Sequence, residues 1–448
     1  MNSGPPRGTS FLMNSKIIAG LLWAVLLVPG PLRAAESTGD LRLVVIVARH
    51  GIRSPTSNAG QAGLGKYAAE PWPQWSVAPG QLTEHGKQQM RLMGAYYRLR
   101  YVHEGLLSGQ AAEDASRLVF RADSDQRTID TAQALAAGLL PDGHADVLAR
   151  HPGESDPLFH PLEAAVGKPD SALAVAAVSG RLGDRPGAVV TACASAFAAL
   201  ERVLVGGDGT VPAGRTSVLS LPTEVVPDDK TPGAVVITGP LLIGQRCAEV
   251  FLLEYAEGLP LAQVGWGRID RPVLTELMRL HSLGFILAHG TFYVAQEKAS
   301  NLMSHIGRSL EQAVQGKPVP GAIGGPASRL VVLAGHDTNM ASLAGLLGIS
   351  WWMDGTQQDP TLPGGALVFE LRQRPADGRY FVRVLYVAQT LDQMRNLDPL
   401  TLEHPPAVVP VFVPQGSGAA PGYDIPLEQF QALLGRVIDP NFVLESST

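Results

Sequence analysis

Apolar residues cluster in this chain in two ways, and the alternation between them sets the first expectation for its architecture. Leu43–Val47, Leu118–Phe120 and Leu330–Leu333 are short, continuous and rich in Val, Leu and Ile. Such runs read as buried strands. Ala366–Leu371 and Phe381–Val387 add two more strands. Between them, apolar positions fall at helical spacing. Thr83 caps a helix that carries Met90, Met93 and Tyr97, and a second helix runs from about Ile129 to Leu139. Strands alternating with helices predict an α/β fold, with a mostly parallel sheet flanked by helices.

From Pro161 to Gly307 the texture changes. Ala172–Val178, Ala194–Val205, Gly239–Tyr255 and Pro272–Ile286 are Ala- and Leu-rich at helical spacing. This predicts a largely α-helical inserted domain over residues 161–307, packed over the ligand-binding edge of the sheet. The α/β catalytic domain then consists of residues 36–160 plus 308–448. Pro318–Pro326, broken by Pro320, Gly321, Gly324 and Gly325, is a loop. No internal repeat is visible.

Residues 1–35 read as a signal peptide. Lys16 precedes the apolar stretch Ile17–Val28, which Pro29-Gly30-Pro31 ends before the small residues Ala34 and Ala35. That core is short for a membrane span, and a start at Met13 would give a more compact leader. Export to a periplasm or the medium is expected, with no membrane association after signal removal. Net charge is −6 and 45% of residues are hydrophobic. This is the balance of a soluble globular protein, with no basic surface for nucleic acid. A monomer is expected. Cys193 and Cys247 are the two cysteines, both on helical segments, and whether they bond is left open.

The chemistry concentrates where the first strand ends. Arg49-His50-Gly51-Ile52-Arg53-Ser54-Pro55-Thr56 follows Leu43–Val47 directly, so His50 lies on the turn at the strand's carboxyl end. In open α/β sheets ligands bind in that crevice. Two arginines around a histidine suit a nucleophile aimed at a phosphoryl group, because guanidinium forks match phosphate oxygens. Read alone, these arginines would pair with carboxylates and His50 would be an ordinary loop histidine. The strand Leu330–Leu333 runs into Gly335-His336-Asp337-Thr338-Asn339, and Leu118–Phe120 runs into Asp123-Ser124-Asp125-Gln126-Arg127. Asp337 is a candidate general acid or a helix N-cap. Arg127 is a phosphate ligand or a surface ion-pair residue. Thr56 either adds a hydroxyl contact or stabilises the turn.

The Arg-His-Gly-x-Arg-x-Pro stretch, together with the distant His336-Asp337 pair, resembles the histidine acid phosphatase branch of the histidine phosphatase superfamily. The resemblance covers essentially the whole mature chain. It implies that His50 attacks phosphorus to form a phosphohistidine and that Asp337 protonates the leaving group. It also implies that Arg49, Arg53, Arg127 and His336, with Thr56, hold the phosphate. No cofactor and no metal are called for, because the arginines supply the charge. His144, His151, His160, His281, His289 and His305 are read as ordinary histidines, without carboxylate partners at metal spacing.

Gly335–Asn339 and Gly265-Trp266-Gly267-Arg268-Ile269 look most like the bacterial subgroup of phytases and glucose-1-phosphatases. Ser57 departs from that pattern, because a lysine is usual there, and Gln296 and Lys298 lie near an expected arginine. The expected substrate is a small-molecule phosphate ester, phytate or a sugar phosphate, for a broad acid phosphatase with some phytase activity. A strict phytase and a glucose-1-phosphatase are the neighbouring alternatives. A phosphoglycerate-mutase-like transferase and an inactive phosphate-ligand binder are the readings from other classes.

Overall fold

The central strand, β1 (Asp40–Arg49), is buried over nearly its whole length. Leu43, Val45 and Val47 enter one apolar cluster, while Val44, Ile46 and Ala48 enter another. A strand with a core on each face has no polar side to alternate, which is why its sequence is a continuous apolar run. The computed structural model describes residues 39–446 apart from 57–60, 184, 420 and 421, together with Met1 and Gly4. The leader stretch Ile17–Val28 and Ser57 therefore lie outside the described residues.

The remaining strands are β2 (Leu118–Ala122), β3 (Val147–Leu148), β4 (Val225–Pro227), β5 (Val235–Ile237) and β6 (Leu330–Gly335). They continue with β7 (Ala366–Gln373), β8 (Tyr380–Ala388), β9 (Ala407–Pro410) and β10 (Ile425–Pro426). The main sheet runs β10-β8-β7-β1-β6-β2-β3, with β9 also on β8. Strands β1, β6, β2 and β3 are parallel neighbours and form the core expected from the alternation. The other half is antiparallel: β7 pairs with β1 and β8, and β8 pairs with β9 and β10. The link from β7 to β8 is only Arg374–Arg379, too short for a parallel crossover, so a hairpin forms.

Helices Glu84–His103 and Gln126–Leu139 cover one face, burying Met90, Met93, Tyr97, Leu135 and Leu139. Thr83 caps the first, accepting from Gly86 N. These two helices touch backbone to backbone: a Cβ on Gly94 would stand 2.2 Å from the Leu135 carbonyl oxygen, and one on Gly138 would stand 2.2 Å from that of Arg91. Helices Phe292–Gln315, Asp337–Leu347 and Leu427–Val437 cover the other face.

Residues 161–307 supply the helices Ser171–Leu182, Ala188–Ala192, Ala194–Val205, Pro240–Ala256 and Arg271–Ala288, and the start of Phe292–Gln315. They also contain the antiparallel pair β4–β5, which no apolar alternation announced. Helix Phe292–Gln315 runs through position 307 without a break. Cys193 sits at the junction of two helices rather than inside one, and both cysteines are free thiols. Among the described residues no helix is long and apolar enough to cross a membrane.

Candidate active site

The register of the parallel core assembles the site. Arg49 pairs with Gly335 across β1 and β6, and Ala122 pairs with Ala334 across β6 and β2. The residues that follow these ends, His50, His336 and Asp123, therefore leave the sheet side by side. His50 N donates to the Gly335 carbonyl, 2.9 Å, and Asp123 N to that of Ala334, 3.0 Å. The His50 and His336 rings meet edge to face at 5.7 Å. Gly51 must lack a side chain, because a Cβ there would stand 2.7 Å from Met90 Cγ.

His50 is buried, 2% exposed. Its Nδ1 lies 2.9 Å from the Gly51 carbonyl oxygen, and a carbonyl can only accept. Nδ1 therefore carries the proton, and Nε2 is left with its lone pair. Arg53 Nε lies 3.4 Å from Nε2. Burial first, then Arg53, Arg127 and Arg49, hold the imidazole well below its ordinary pKa. Desolvation is the largest of these causes, ahead of the arginines.

Arg49 is fully buried and reaches Glu249, the Thr361 carbonyl and, at 3.1 Å, Asp337 Oδ2. Burial opposes its charge, yet Glu249 and Asp337 raise its pKa. Arg53 lies 3.3 Å from Glu249 Oε1. Burial, against the pull of Glu249, and repulsion from Arg49 and Arg127 lower the Arg53 pKa to about 10. Arg127, in the first turn of helix Gln126–Leu139, pairs with Asp125 at 2.5 Å, and its Nε has no partner among the described residues. Half-buried Thr56 and Arg127 both flank Gly80.

His336 occupies the N-cap position of helix Asp337–Leu347, and its backbone N–H donates to Asn339 Oδ1, 2.9 Å. Asp337 is thus the first helical residue and not the cap, so the capping alternative falls to its neighbour. Its Oδ1 accepts from Thr338 N, 2.9 Å, which leaves Oδ2 on Arg49. His336 Nε2 lies 2.7 Å from Asp123 Oδ2. The structure therefore brings His50, Arg49, Arg53, Arg127, His336 and Asp337 into one charge cluster, with Thr56 at its rim.

Sequence reasoning missed four members. Glu249, on helix Pro240–Ala256, bridges Arg49 and Arg53. Despite burial, Arg49, His281 and Arg53 hold its carboxyl far below the usual range. His281 lies 3.3 Å from Glu249, and Asp123 anchors His336. His160 Nε2 lies 3.0 Å from the same Asp123 oxygen, so neither His160 nor His281 is the ordinary histidine expected. The available signal was burial: Glu249 stands in the apolar run Cys247–Leu253, and charges are rarely buried unless paired.

Residues 40–184 and 282–387 match the histidine phosphatase superfamily (branch 2). The chain is 37% identical to phytase AppA of Escherichia coli (strain K12) over 84% of this chain and 87% of that protein. It is 27% identical to a glucose-1-phosphatase of Providencia rettgeri over 95% of this chain and all of that one (100%). The solved phytase of Citrobacter braakii superposes with a TM-score of 0.82 at 32% identity, covering 90% of this chain and 100% of that one. The chain belongs to the histidine phosphatase superfamily, branch 2, and is a histidine acid phosphatase, a hydrolase of phosphomonoesters.

Proposed function

We propose that His50 is the nucleophile, Asp337 the proton donor, and Arg49, Arg53, Arg127 and His336 the phosphate ligands, in a broad phosphatase acting on sugar phosphates and, less well, on phytate. The carrying observation is the unprotonated Nε2 of His50, fixed by the Gly51 carbonyl and surrounded by guanidinium groups. Nε2 attacks phosphorus in line, so the P–N bond forms as the P–O bond to the alcohol breaks. The protonated Asp337 carboxyl gives its proton to the departing alkoxide oxygen, a poor leaving group without it. Water then attacks phosphohistidine and Asp337 takes its proton. The P–N bond breaks and inorganic phosphate leaves. Charge on the equatorial oxygens is met throughout by the arginines and His336. Thr56, at the rim, adds a hydroxyl contact.

A cavity of about 270 Å³ beside Thr338 and His160 supports the substrate preference. Lys298 lines it, with Nζ 3.1 Å from His289 Nδ1, and supplies a cation for a second phosphate. Glu163 and Asp228 line the same cavity and oppose dense negative charge. A monophosphate meets little of that opposition, whereas a hexakisphosphate meets more. The named relatives hydrolyse both kinds of ester, as a phytase and as a glucose-1-phosphatase. Phosphate release at acidic pH, with a chelator present, is compared for phytate, glucose 1-phosphate and an aryl phosphate. Faster release from the small esters is expected, and a clear preference for phytate would overturn the ranking. No release from any of them would remove the assigned roles of His50 and Asp337.

We also propose export through the leader Lys16–Ala35, followed by action as a soluble monomer without nucleic-acid partners. A mature N-terminus near Glu36, read from the exported fraction, tests the cleavage.

A further inference from the structure

His160 has no part in the chemistry above, yet it is held against it. The turn that carries it is anchored from below by Asp156, which is fully buried and paired to Arg121 through Oδ1, 3.1 Å, and Oδ2, 2.9 Å. Asn339 Nδ2 donates to the Phe159 carbonyl, 2.7 Å, and so ties the turn to the helix that begins after His336. His160 and His336 thus approach one carboxylate oxygen from two sides, at 3.0 and 2.7 Å, with their rings 4.9 Å apart. The donor atoms of Asp123, Asp125, His160 and His336 all lie within 4.8 Å of one another. Asp123 is 1% exposed, and its second oxygen, Oδ1, is buried with no hydrogen-bond partner.

We infer that Asp123, His160 and His336 form a binding site for a borderline divalent cation of the Zn²⁺ or Co²⁺ type, and that the bound ion inhibits the enzyme. Tetrahedral zinc with ligands at about 2.0–2.1 Å places neighbouring donors about 3.3 Å apart. Asp123 Oδ2 stands 3.0 and 2.7 Å from the two imidazole nitrogens and reaches that spacing by moving about 0.3 and 0.6 Å from them. Asp125 Oδ2, 3.7 Å from His336 Nε2, is the fourth donor once it turns from Arg127, and water takes that place otherwise. Two imidazoles select zinc-like ions over Mg²⁺ and Ca²⁺, which favour all-oxygen shells. The other carboxylate–histidine cluster, Glu249, His281 and Asp337, is unsuitable because Arg49 already sits on both carboxylates.

Inhibition follows from the ligand set. The ion takes Nε2 of His336 away from Asp123, so the ring is held by the metal and moves from the place at which it meets a phosphoryl group. The site does not depend on which ester is hydrolysed, and its first readout uses no substrate.

The test is titration of the apoprotein with Zn²⁺ by calorimetry and with Co²⁺ by visible absorption, for wild type and His160→Asn. One ion per chain is expected in the micromolar range, with the absorption of four-coordinate Co²⁺. The variant should bind roughly tenfold or more weakly, and its own turnover of an aryl phosphate in chelator sets the reference for inhibition. Zinc inhibition of that turnover should weaken in parallel. Equal binding by the variant, or no stoichiometric binding by wild type, overturns the site. Zinc inhibition that persists in a variant unable to bind overturns the inhibitory role. If the variant does not fold, anomalous diffraction at the zinc edge from soaked wild-type crystals decides. A peak between the three donors supports the site, and its absence overturns it.

Discussion

Glu249 closes on the guanidinium of Arg49 from a position 200 residues further along the chain. The same oxygen lies 3.3 Å from Arg53. Arg49 and Arg53, the proposed phosphate ligands, are thus partly neutralised by Glu249, and an arriving phosphate would compete with that carboxylate for them. Glu249→Gln removes the competitor while keeping the shape. Its inorganic-phosphate inhibition constant should fall several-fold, and kcat should fall with it as product leaves more slowly. An unchanged inhibition constant would show that Glu249 does not tune anion affinity. Glu249→Ala should instead destabilise the fold by about 3–5 kcal/mol, because it leaves buried charge uncompensated.

Asp337 can be isolated by the choice of leaving group. Asp337→Asn should cut kcat for an alkyl phosphate by about 10²–10⁴-fold. With an aryl phosphate whose alcohol leaves without a proton, the loss in phosphorylation should be far smaller. Equal losses on both would remove the carboxyl from leaving-group protonation.

The depressed pKa of His50 has a direct kinetic reading. Its neutral form persists below the ordinary imidazole pKa of 6.5, so kcat/KM should not fall as pH drops through that value. Arg53→Gln takes away one of the charges that disfavour the imidazolium. Its acid limb should move to higher pH, in addition to any loss of rate. His50→Ala should leave no acid-labile phosphoenzyme after rapid quenching.

Stability should also depend on pH, through a residue remote from the chemistry. Glu254 is fully buried. It accepts from Gly265 N at 2.8 Å through one oxygen, and the other has no partner. Burial raises its pKa from 4.5 to about 8. A raised carboxyl pKa means that the folded state holds the proton more tightly than the unfolded chain. The contribution is therefore complete below pH 4.5 and is lost as pH climbs to about 8, on the order of 3–5 kcal/mol in all. Burial likewise raises Glu257 to about 7, in the same sense. Melting temperatures should fall from pH 4.5 to pH 8, and Glu254→Gln should flatten that slope. A slope unchanged by the substitution would show that Glu254 does not set it.

What the sequence revealed, it revealed where local pattern and local structure coincide. The run Leu43–Val47 is apolar without alternation because it has a core on each side. The Arg49–Thr56 motif pointed to a phosphate site because most of the residues proposed to hold the phosphate are contiguous. The antiparallel half of the sheet was hidden, because β7 and β8 look like any strands until the short hairpin between them is counted. The partners of Glu249, His281 and His160 were hidden for a related reason. Each partners a residue on a distant element, and nothing near Glu249 announces the arginines it meets. Cys193 and Cys247 stayed ambiguous in sequence because thiols carry no spacing code when only two are present.

The pairing of Arg49 with Gly335 joins segments 286 residues apart in the middle of the sheet. His50 and Asp337, the proposed nucleophile and proton donor, meet only when that pairing exists, and closing so long a loop costs entropy and slows folding. During refolding, helices and the β7–β8 hairpin can form early without generating any activity. Recovered turnover therefore reports on this long-range join, and a nascent chain stays chemically silent until it is made.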